Sequence, residues 1–475
     1  MIASSLLVAM ALTQTTAPVP PAAAPAPGQP PQAPAHAAPA LPVLTLQQAL
    51  AEGRRQNLDI QQAEARLGQA RQLSWKAWSY YLPQVSAGAS YTHNSLESIL
   101  PFPVGYQIVN TSPGTPGPPV VPPTYVTGAP ITENITVQPL NQLSAQGQVT
   151  QALVAPALWP AIKNAYTAEK VAALSTENAR REVLYGIAQV YYGAAGLKQA
   201  VEVTERQLAI TRERERDARV RYQAGTTPKV ALLRAEIDRA QAEQDLLRAR
   251  NNFASAKIAL ATLLDRRDDF DVGIPPTPNA PAGAEPDLEA VALRDRPDVQ
   301  AAATTLQLAE GQRTGIYYQY APSVGAFARG QWVNFTGFVG REFSWAVGLA
   351  LTWNLFDGGL REANLCEAEA RVVEASAASR SAENKAVEEV RTARFDLESA
   401  LANRAKAEER VTLARENQQI TAVSYKAGAA TYLETTDAVE SLRQAELGLV
   451  TDTLNADLAA IRLLKAVGAF QEPHP

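Results

Sequence analysis

Residues 343–434 restrict the possible fold more than any other stretch, because a membrane-type strand runs directly into one very long helix. Over residues 343–353, apolar residues alternate strictly with small or polar ones, the pattern of a β-strand with two unlike faces. Trp345 and Trp353 share the apolar face, about 26 Å apart along the strand at ~3.3 Å per residue. With tilt, this spacing approaches the separation of the two aromatic girdles of a transmembrane barrel, whose apolar band is ~25 Å tall.

The helix follows a turn at residues 354–359 and contains no Gly or Pro before Gly428. About 68 residues at ~1.5 Å per residue give a helix of about 100 Å. Such a helix is far longer than a bilayer is thick, and it is too polar to lie inside one. No apolar run in the chain reaches the ~18 residues of a transmembrane helix. We therefore expect any contact with a bilayer to be made by strands.

Composition argues against several classes of function. The chain carries 43 Lys and Arg against 48 Asp and Glu, a balance that gives no electrostatic support for a nucleic-acid partner. Its single cysteine, Cys366, cannot form an internal disulfide. The three histidines, His36, His93 and His474, lie far apart, which argues against a His-based metal site or a catalytic triad. We expect no enzymatic activity, no metal and no cofactor.

The N-terminal residues are expected to serve export. An apolar run over residues 2–12 is typical of the core of a signal peptide, although the usual basic residues before it are missing. We therefore predict a signal segment at residues 1–16. Residues 17–43 are rich in Pro and Ala and almost free of charge, which predicts a flexible linker.

The first half of the chain predicts helices and strands in a definite order. Helical periodicity over residues 44–81 ends before Pro83. Alternating patterns then predict strands at residues 85–92 and 143–153, and the Pro-, Gly- and Thr-rich residues 101–130 predict a long extracellular surface loop between them. A long helix is expected after Pro160, followed by a turn at residues 222–228 and a returning helix.

The second half repeats this order. Residues 57–61, 81–85 and 221–225 match residues 296–300, 320–324 and 424–428. Each half predicts helix, strand, loop, strand, long helix, tight turn and helix, so we expect a pseudo-twofold relation between them. The expected boundaries are a first repeat at 44–266, a connector at 267–288, a second repeat at 289–468 and a tail at 469–475.

The long helices carry a seven-residue pattern built largely on alanine. Before the second turn it includes Ala386, Val390, Ala393 and Leu397. A sustained seven-residue repeat predicts coiled-coil packing, and small side chains let the helix backbones approach closely. A soluble helical bundle would show the same pattern, but it would not explain alternating strands that carry tryptophan at both ends.

The number of strands predicts an oligomer. Each chain supplies four predicted membrane strands, whereas a transmembrane barrel needs at least ~8 to close without exposed edges. Three copies would give twelve strands around a wide lumen. The residues expected to face that lumen are polar or small, as a water-filled channel requires: Ser86, Ser90, Gln146, Gln148, Arg329, Gln331 and Ser344. The predicted fold class is a mixed α and β membrane protein, a trimeric 12-stranded barrel continued by a long α-helical coiled-coil barrel.

In these motifs the chain resembles the outer-membrane efflux protein family, the TolC-like channels of Gram-negative bacteria. The most specific segments are residues 355–359 (LFDGG), their counterpart at residues 153–160, and the two Tyr-x-Ala-Gly turns. The resemblance covers roughly residues 44–468. It implies a homotrimeric exit duct in the outer membrane that extends into the periplasm and exports small molecules or proteins. The implied partners are a periplasmic adaptor (membrane fusion) protein, an inner-membrane transporter and outer-membrane lipid.

The resemblance also implies roles for individual residues. Tyr425 matches the family's gating tyrosine, and Glu434 and Asp437 match acidic positions that ring the periplasmic entrance. The adaptor-docking turns would include Tyr222, Gly225, Thr226, Gly428 and Ala429, and the membrane girdle would include Trp345 and Trp353. Ala430 and Ala231 stand where a gate arginine and its aspartate partner occur, so a salt-bridge lock of that kind is not expected here.

Simpler interpretations remain open for these residues. Gly225 and Gly428 can be turn glycines that supply a positive φ, and Glu434 and Asp437 can be carboxylates favoured by the dipole of a first helical turn. For the whole chain, the alternative is a periplasmic coiled-coil adaptor or structural protein. An adaptor would carry a lipoyl-like β domain between two helices, and the sequence shows none. A general diffusion porin is disfavoured because porins lack helices of this length.

Overall fold

The computed structural model describes residues 41–112, 124–281 and 283–470. The expected signal segment (1–16), residues 17–40 of the expected linker, residues 113–123 of the predicted loop and residues 471–475 of the tail lie outside the described residues. All elements below belong to one unit that begins at Val43.

The elements follow the predicted alternation of helices and strands. In chain order they are β1 (Val43–Leu44), α1 (Leu46–Gln56), α2 (Leu58–Ser79), β2 (Gln84–His93), β3 (Ser98–Ser112), β4 (Thr124–Gln138), β5 (Asn141–Val154), α3 (Leu158–Gln223), α4 (Lys229–Leu263), β6 (Asp271–Val272), α5 (Glu285–Asp295), α6 (Pro297–Tyr318), β7 (Ser323–Val333), β8 (Phe343–Thr352), α7 (Leu360–Lys426) and α8 (Tyr432–Ala466). A short 3₁₀ turn, Gly337–Val339, lies between β7 and β8.

The predicted continuous helix at residues 44–81 is wrong, because the helix is interrupted at Asn57, between α1 and α2. The Asn57 side-chain oxygen accepts hydrogen bonds from the backbone N–H groups of Asp59 (2.9 Å) and Ile60 (3.2 Å), which caps α2. Its amide donates to the Leu263 carbonyl oxygen at 2.9 Å. Leu44 lies not in a helix but in β1, which pairs in parallel with β6.

Four antiparallel strands form one sheet in the order β2-β5-β7-β8. The register places Ser86 opposite Gln148, Gln148 opposite Arg329, and Gln146 opposite Gln331. Residues directly opposite each other share a face, so the predicted polar face is confirmed. The other face carries exposed apolar side chains, including Val347, at 69%. Neither β2 nor β8 has a second partner strand within the described residues.

The stretch predicted as a long surface loop, residues 101–130, consists largely of two strands over the residues that the structure describes there. β3 and β4 pair as an antiparallel ribbon, with register shifts near Pro103 and between Tyr106 and Ile108. A two-stranded ribbon has a free edge on both sides, so prolines can lie in its strands without removing a ladder hydrogen bond. The prolines and the shifts hide the period-two pattern from the sequence.

The predicted helix lengths and alanine-lined seams are confirmed. α3 contains 66 residues and α7 contains 67, about 100 Å each at ~1.5 Å per residue. α3 packs on α2, α4, α6 and α8, and α7 packs on α6 and α8. The buried seam residues of the α7/α8 hairpin include Ala386, Val390, Ala393, Leu397, Ala407, Val411, Ala438, Ala445, Ala456, Ala459, Leu463 and Ala466.

The largest hydrophobic core surrounds the middle of α3, where α1, β1, β6 and the end of α4 meet. Tyr191 is fully buried there, and its hydroxyl donates to the carbonyl oxygens of Leu44 (2.7 Å) and Gly273 (3.0 Å). Burial raises the pKa of Tyr191 to about 12. The short strands and the long helix are thereby fixed to one another. In the described ranges, none of the helices combines the length and the apolar character needed to cross a membrane.

Candidate functional site

The two helical hairpins end in turns with the same backbone. At the first, Thr226 N–H donates to Arg221 O (3.0 Å) and Gly225 N–H to Tyr222 O (3.0 Å). At the second, Ala429 N–H donates to Ser424 O (2.8 Å) and Gly428 N–H to Tyr425 O (3.1 Å). This is the Schellman pattern, which requires a left-handed residue after the helix. Gly225 has φ 72° and Gly428 has φ 78°, so both meet that requirement without strain.

The two turn tyrosines have different surroundings. Tyr222 is exposed at 40%. The Tyr425 ring lies 6.5 Å from the Tyr432 ring in an edge-on arrangement, and the Arg221 guanidinium carbon lies 5.0 Å from the Tyr425 ring centroid. Arg221 belongs to the first hairpin and the two tyrosines to the second. Tyr425 therefore lies at the contact between the hairpin tips.

A polar cluster formed by Arg214, Asp238, Tyr432 and Thr435 joins the two hairpins. Arg214 on α3 donates to the carbonyl oxygen of Thr435 on α8 at 2.7 Å. The hydroxyl of Tyr432 on α8 donates to the carboxylate of Asp238 on α4 at 3.0 Å. We call these four residues the tip cluster. Its hydrogen bonds connect three helices near the turns.

Burial shapes the electrostatics of the tip cluster. Desolvation, together with the neighbouring Asp238 carboxylate, raises the pKa of Tyr432 to about 12, so its hydroxyl stays a donor. Desolvation also lowers the pKa of Arg214, but an arginine so far above neutrality keeps its charge. Hydrogen bonds to charged groups contribute more than neutral ones, ~1.5–3 kcal/mol each. The tip cluster therefore joins the hairpins near the turns by two hydrogen bonds that each involve a charged group.

The two predicted entrance acids, Glu434 and Asp437, are placed differently. Glu434 takes part in a capping box with Thr431, whose backbone N–H and hydroxyl donate to the Glu434 carboxylate at 2.6 Å and 3.0 Å. These hydrogen bonds hold the pKa of Glu434 below its ordinary value. Asp437 lies one turn further along α8 and is exposed. Glu434 thus has a structural task as well as a charge.

The tip cluster was not among the residues predicted from the sequence. The cluster does not include Ala430 or Ala231, the positions where the resemblance would place a gate arginine and its aspartate partner. Asp238 lies between the buried seam residues Ala235 and Ala242 at spacings of three and four. A carboxylate at a seam position was the signal in the sequence, because a charge that is partly removed from water is stabilised by a polar partner.

The predicted junction motif at residues 355–359 connects β8 to α7 by a compact set of contacts. Gly358 and Gly359 have φ 73° and 89°, values that other residues rarely adopt. Arg361 is 7% exposed; it donates to the Asp357 carboxylate at 2.7 Å, and its guanidinium carbon lies 4.4 Å from the Tyr320 ring centroid. The conformation at the end of the strand is thereby tied to the start of the helix.

The predicted girdle residues lie where the alternation indicates. Trp345 is 73% exposed on the apolar face of β8, and Trp353 is 57% exposed just after the strand. The Trp353 indole N–H donates to the Tyr320 carbonyl oxygen at 3.1 Å. Large aromatic side chains exposed on an apolar face are typical of a surface that another phase or molecule covers.

No group of His, Cys, Asp and Glu able to hold a metal ion occurs among the residues that the structure describes. The candidate site therefore consists of surfaces and of contacts between helices. It comprises the two-faced sheet at one end of the long helices and the paired turns at the other.

Comparison with known proteins gives one family and one fold. The model of the outer membrane efflux protein family matches residues 46–266 and 290–469. No curated protein sequence matches the chain.

Several solved structures are similar over most of their length. The outer membrane protein VceC from Vibrio cholerae shares 22% identity with a TM-score of 0.69, covering 89% of this chain and 96% of that one. The CmeC outer membrane channel of Campylobacter jejuni shares 16% identity with a TM-score of 0.70 and 90% and 87% coverage. The MtrE outer membrane channel of Neisseria gonorrhoeae shares 18% identity with a TM-score of 0.69 and 90% coverage of both chains. At these identities the likeness concerns the fold.

Proposed function

The chain belongs to the outer membrane efflux protein family, and from this premise we propose that it forms a homotrimeric exit duct. In this proposal three copies build a twelve-stranded barrel in the outer membrane, and their helices continue the duct through the periplasm. Small molecules or proteins leave through it, delivered by an inner-membrane transporter with a periplasmic adaptor. The duct has no chemistry of its own.

The observation that carries this proposal is the four-stranded sheet with unlike faces and two free edges. A free edge presents unpaired backbone groups, which in hydrocarbon must find partners. β8 of one copy pairing with β2 of the next would satisfy both edges when three copies close. The apolar face, with Trp345 and Val347, then faces lipid, and the polar face, with Gln148 and Gln331, faces water.

The long helices support the second part of the proposal. α7 leaves the sheet through the hydrogen-bonded Asp357–Arg361 junction, so the helical part continues directly from the strands. Many apolar side chains of the hairpins are exposed in the single chain, among them Ile237 at 66% and Val423 at 69%. Surfaces of this kind are typical of contacts with other chains, and neighbouring copies and an adaptor would cover them.

We place the periplasmic entrance at the paired turns. Tyr425 lies at the contact between the hairpins, and Glu434 and Asp437 add negative charge to the first turns of α8. Rings of carboxylates favour cations in channels. The exposed turn residues Tyr222, Gly225, Thr226, Gly428 and Ala429 are the proposed surface for the adaptor.

The proposal is tested with purified protein in planar bilayers. We expect a heat-resistant trimer in detergent extracts of the outer membrane and small, cation-selective currents from it. Asp437→Asn should lower the cation selectivity. Glu434→Gln is the matched variant, because glutamine retains the capping box and loses only the charge.

The outcomes separate the parts of the proposal. A monomer that never enters the outer membrane contradicts the duct itself. Large currents whose selectivity neither variant changes contradict the placement of the entrance, but not the duct. A change with Asp437→Asn alone would assign the entrance charge to Asp437 and leave Glu434 with its capping role.

A further inference from the structure

One charged side chain stands alone on the four-stranded sheet. Arg329 is the only Asp, Glu, Lys or Arg residue in β2, β5, β7 and β8. It is exposed, and none of the ion pairs between described residues includes it. Since every other residue on its face of these strands is uncharged, the position of this arginine needs a reason.

The register fixes the face on which Arg329 lies. It is directly opposite Gln148 on β5 and Ala346 on β8, and Gln148 is opposite Ser86 on β2. This row of four residues is polar or small throughout. Two positions further along the strands on the same face, the neighbouring row contains Gln331 on one side and Thr150 on the other. Arg329 therefore lies on the polar face, among groups that form hydrogen bonds but carry no compensating charge.

The surroundings of Arg329 keep its charge available. The guanidinium carbon lies 5.9 Å from the centroid of the Phe327 ring, near the outer limit of a cation–π contact. Phe327 itself packs over Gly348, where an added Cβ would come within 2.8 Å of the ring. The aromatic ring is thus held against β8, and the arginine extends beside it toward open space in the depression lined by Gln148 and Thr150.

Arg329 lies near the middle of the sheet, just past the midpoints of β7 and β8 as counted from the long helices. β8 runs from Phe343 to Thr352 and then enters the junction with α7. Arg329 is opposite Ala346, three residues from the end that is remote from the helices. In the proposed duct Arg329 therefore lies within the barrel.

We propose that Arg329 makes the barrel part of the duct favour anionic solutes. The inference rests on the proposed function, because the polar face becomes a lumen only in a closed barrel. Three copies then place three guanidinium groups at one height, and rings of arginine favour anions in pores. The entrance acids at the periplasmic end carry the opposite charge. The duct then has a negative entrance and a positive ring within the barrel, so the two parts select differently.

The test is the ion selectivity of single channels in a KCl gradient near ~0.1 M, where the Debye length is ~10 Å and fixed charges are incompletely screened. The reversal potential gives the ratio of K⁺ to Cl⁻ permeability. Arg329→Gln should raise this ratio severalfold, whereas Arg329→Lys should retain the wild-type value. Citrate, a trivalent anion, added on the outer side should block the wild-type channel and block Arg329→Gln much more weakly.

Two further variants test the position of the charge rather than the residue. In Arg329→Gln/Gln148→Arg the arginine moves one strand along the same row, about 5 Å away, and the wild-type selectivity should return. Ala346→Glu leaves Arg329 in place and sets a carboxylate directly opposite, which should abolish the citrate block. Gln331→Ala, on the same face without a charge, is the control and should change neither measurement.

Each outcome has one meaning. Conducting trimers in which Arg329→Gln and Ala346→Glu both retain the wild-type reversal potential and citrate block overturn the inference and leave the duct intact. A wild-type protein that forms no trimer and no channel overturns the proposed function and the inference with it. If Arg329→Gln does not assemble, Ala346→Glu decides alone, because it does not alter Arg329.

Discussion

The two hairpin tips share a backbone but not a chemistry. Both turns have the same pair of hydrogen bonds and a glycine with a positive φ. Beyond the glycine they differ. Helix α4 begins after Pro228 with no side-chain cap, whereas α8 begins after Thr431 with a full capping box. The hydroxyl of Thr227 is buried without a hydrogen-bond partner.

The positions that form the tip cluster are not duplicated in the other half. The counterpart of Arg214 in the second repeat is Asn417, which is exposed and accepts only a local bond from Thr421. The counterpart of Asp238 is the exposed Ser441. The repeated motif therefore specifies where each hairpin turns. The differences at individual positions determine which hairpin supplies the side chains that hydrogen-bond to the other. The second hairpin caps itself, and it depends on α3 and α4 for its polar partners.

The largest expected effect comes from Arg214→Ala, which removes the link between α3 and the Thr435 carbonyl. A charge-assisted hydrogen bond contributes ~1.5–3 kcal/mol, equivalent to roughly a ten- to hundredfold change in a local opening equilibrium. We expect amide hydrogen exchange in the first two turns of α8 to accelerate by about that factor in the purified protein. Exchange in the first turns of α4 should change less.

The matched control is Arg216→Ala, two residues along the same helix at an exposed position. This variant removes the same side chain without touching the tip cluster. Equal exchange at α8 in the two variants would show that Arg214 does not hold the second hairpin. In that case the two tips would differ in sequence but not in how they are stabilised.

Part of this asymmetry was open to prediction from the sequence, and part was not. The Tyr-x-Ala-Gly motif locates both turns, because glycine is the residue that adopts the left-handed region after a helix. The contact of Tyr432 with Asp238 could not be predicted, since it depends on how α8 lies against α4 at a separation of 194 residues. Periodicity assigns a residue to a face of its helix, but it does not identify the facing residue.

The sheet shows the same limit. Alternation located β2, β5 and β8 and separated their faces, because a buried or lipid-covered face demands period two, and the internal repeat supplied β7. Alternation failed for β3 and β4, whose prolines and register shifts break that period. It also gave no sign of the break at Asn57, where a single side chain ends one helix and caps the next.

Replacing either turn glycine by alanine should have a smaller effect than Arg214→Ala, and the effect should be equal at the two turns. Gly225→Ala and Gly428→Ala each force an L-residue into the left-handed region, at a cost of ~1–2 kcal/mol. No atom lies within 4 Å of an added Cβ at either position, so the cost is conformational rather than steric. Local exchange at residues 222–228 and 425–431 should accelerate to the same extent.

Asparagine tolerates the left-handed region better than alanine, so Gly225→Asn and Gly428→Asn should recover much of the loss. A far larger effect at one turn than at the other would contradict the view that the backbone is shared. It would mean that the turn glycine at that tip lies in a contact where even a methyl group does not fit.

The smallest expected effect is a pH dependence of the first turn of α8 that the first turn of α4 should lack. Hydrogen bonds from Thr431 hold the pKa of Glu434 below its ordinary value of 4.5. Because the folded-state pKa is lowered, the stabilisation is present above 4.5 and is lost as the pH falls through the lowered value. We expect Glu434→Ala to accelerate exchange in the first turn of α8 severalfold at neutral pH, and the difference from wild type to persist down to 4.5. If the difference already fades at higher pH, Thr431 does not hold the carboxylate. In the first turn of α4, where Ala231 occupies the equivalent position, protection from exchange in the wild-type protein should not change over the same pH range. The first hairpin has no capping carboxylate to protonate.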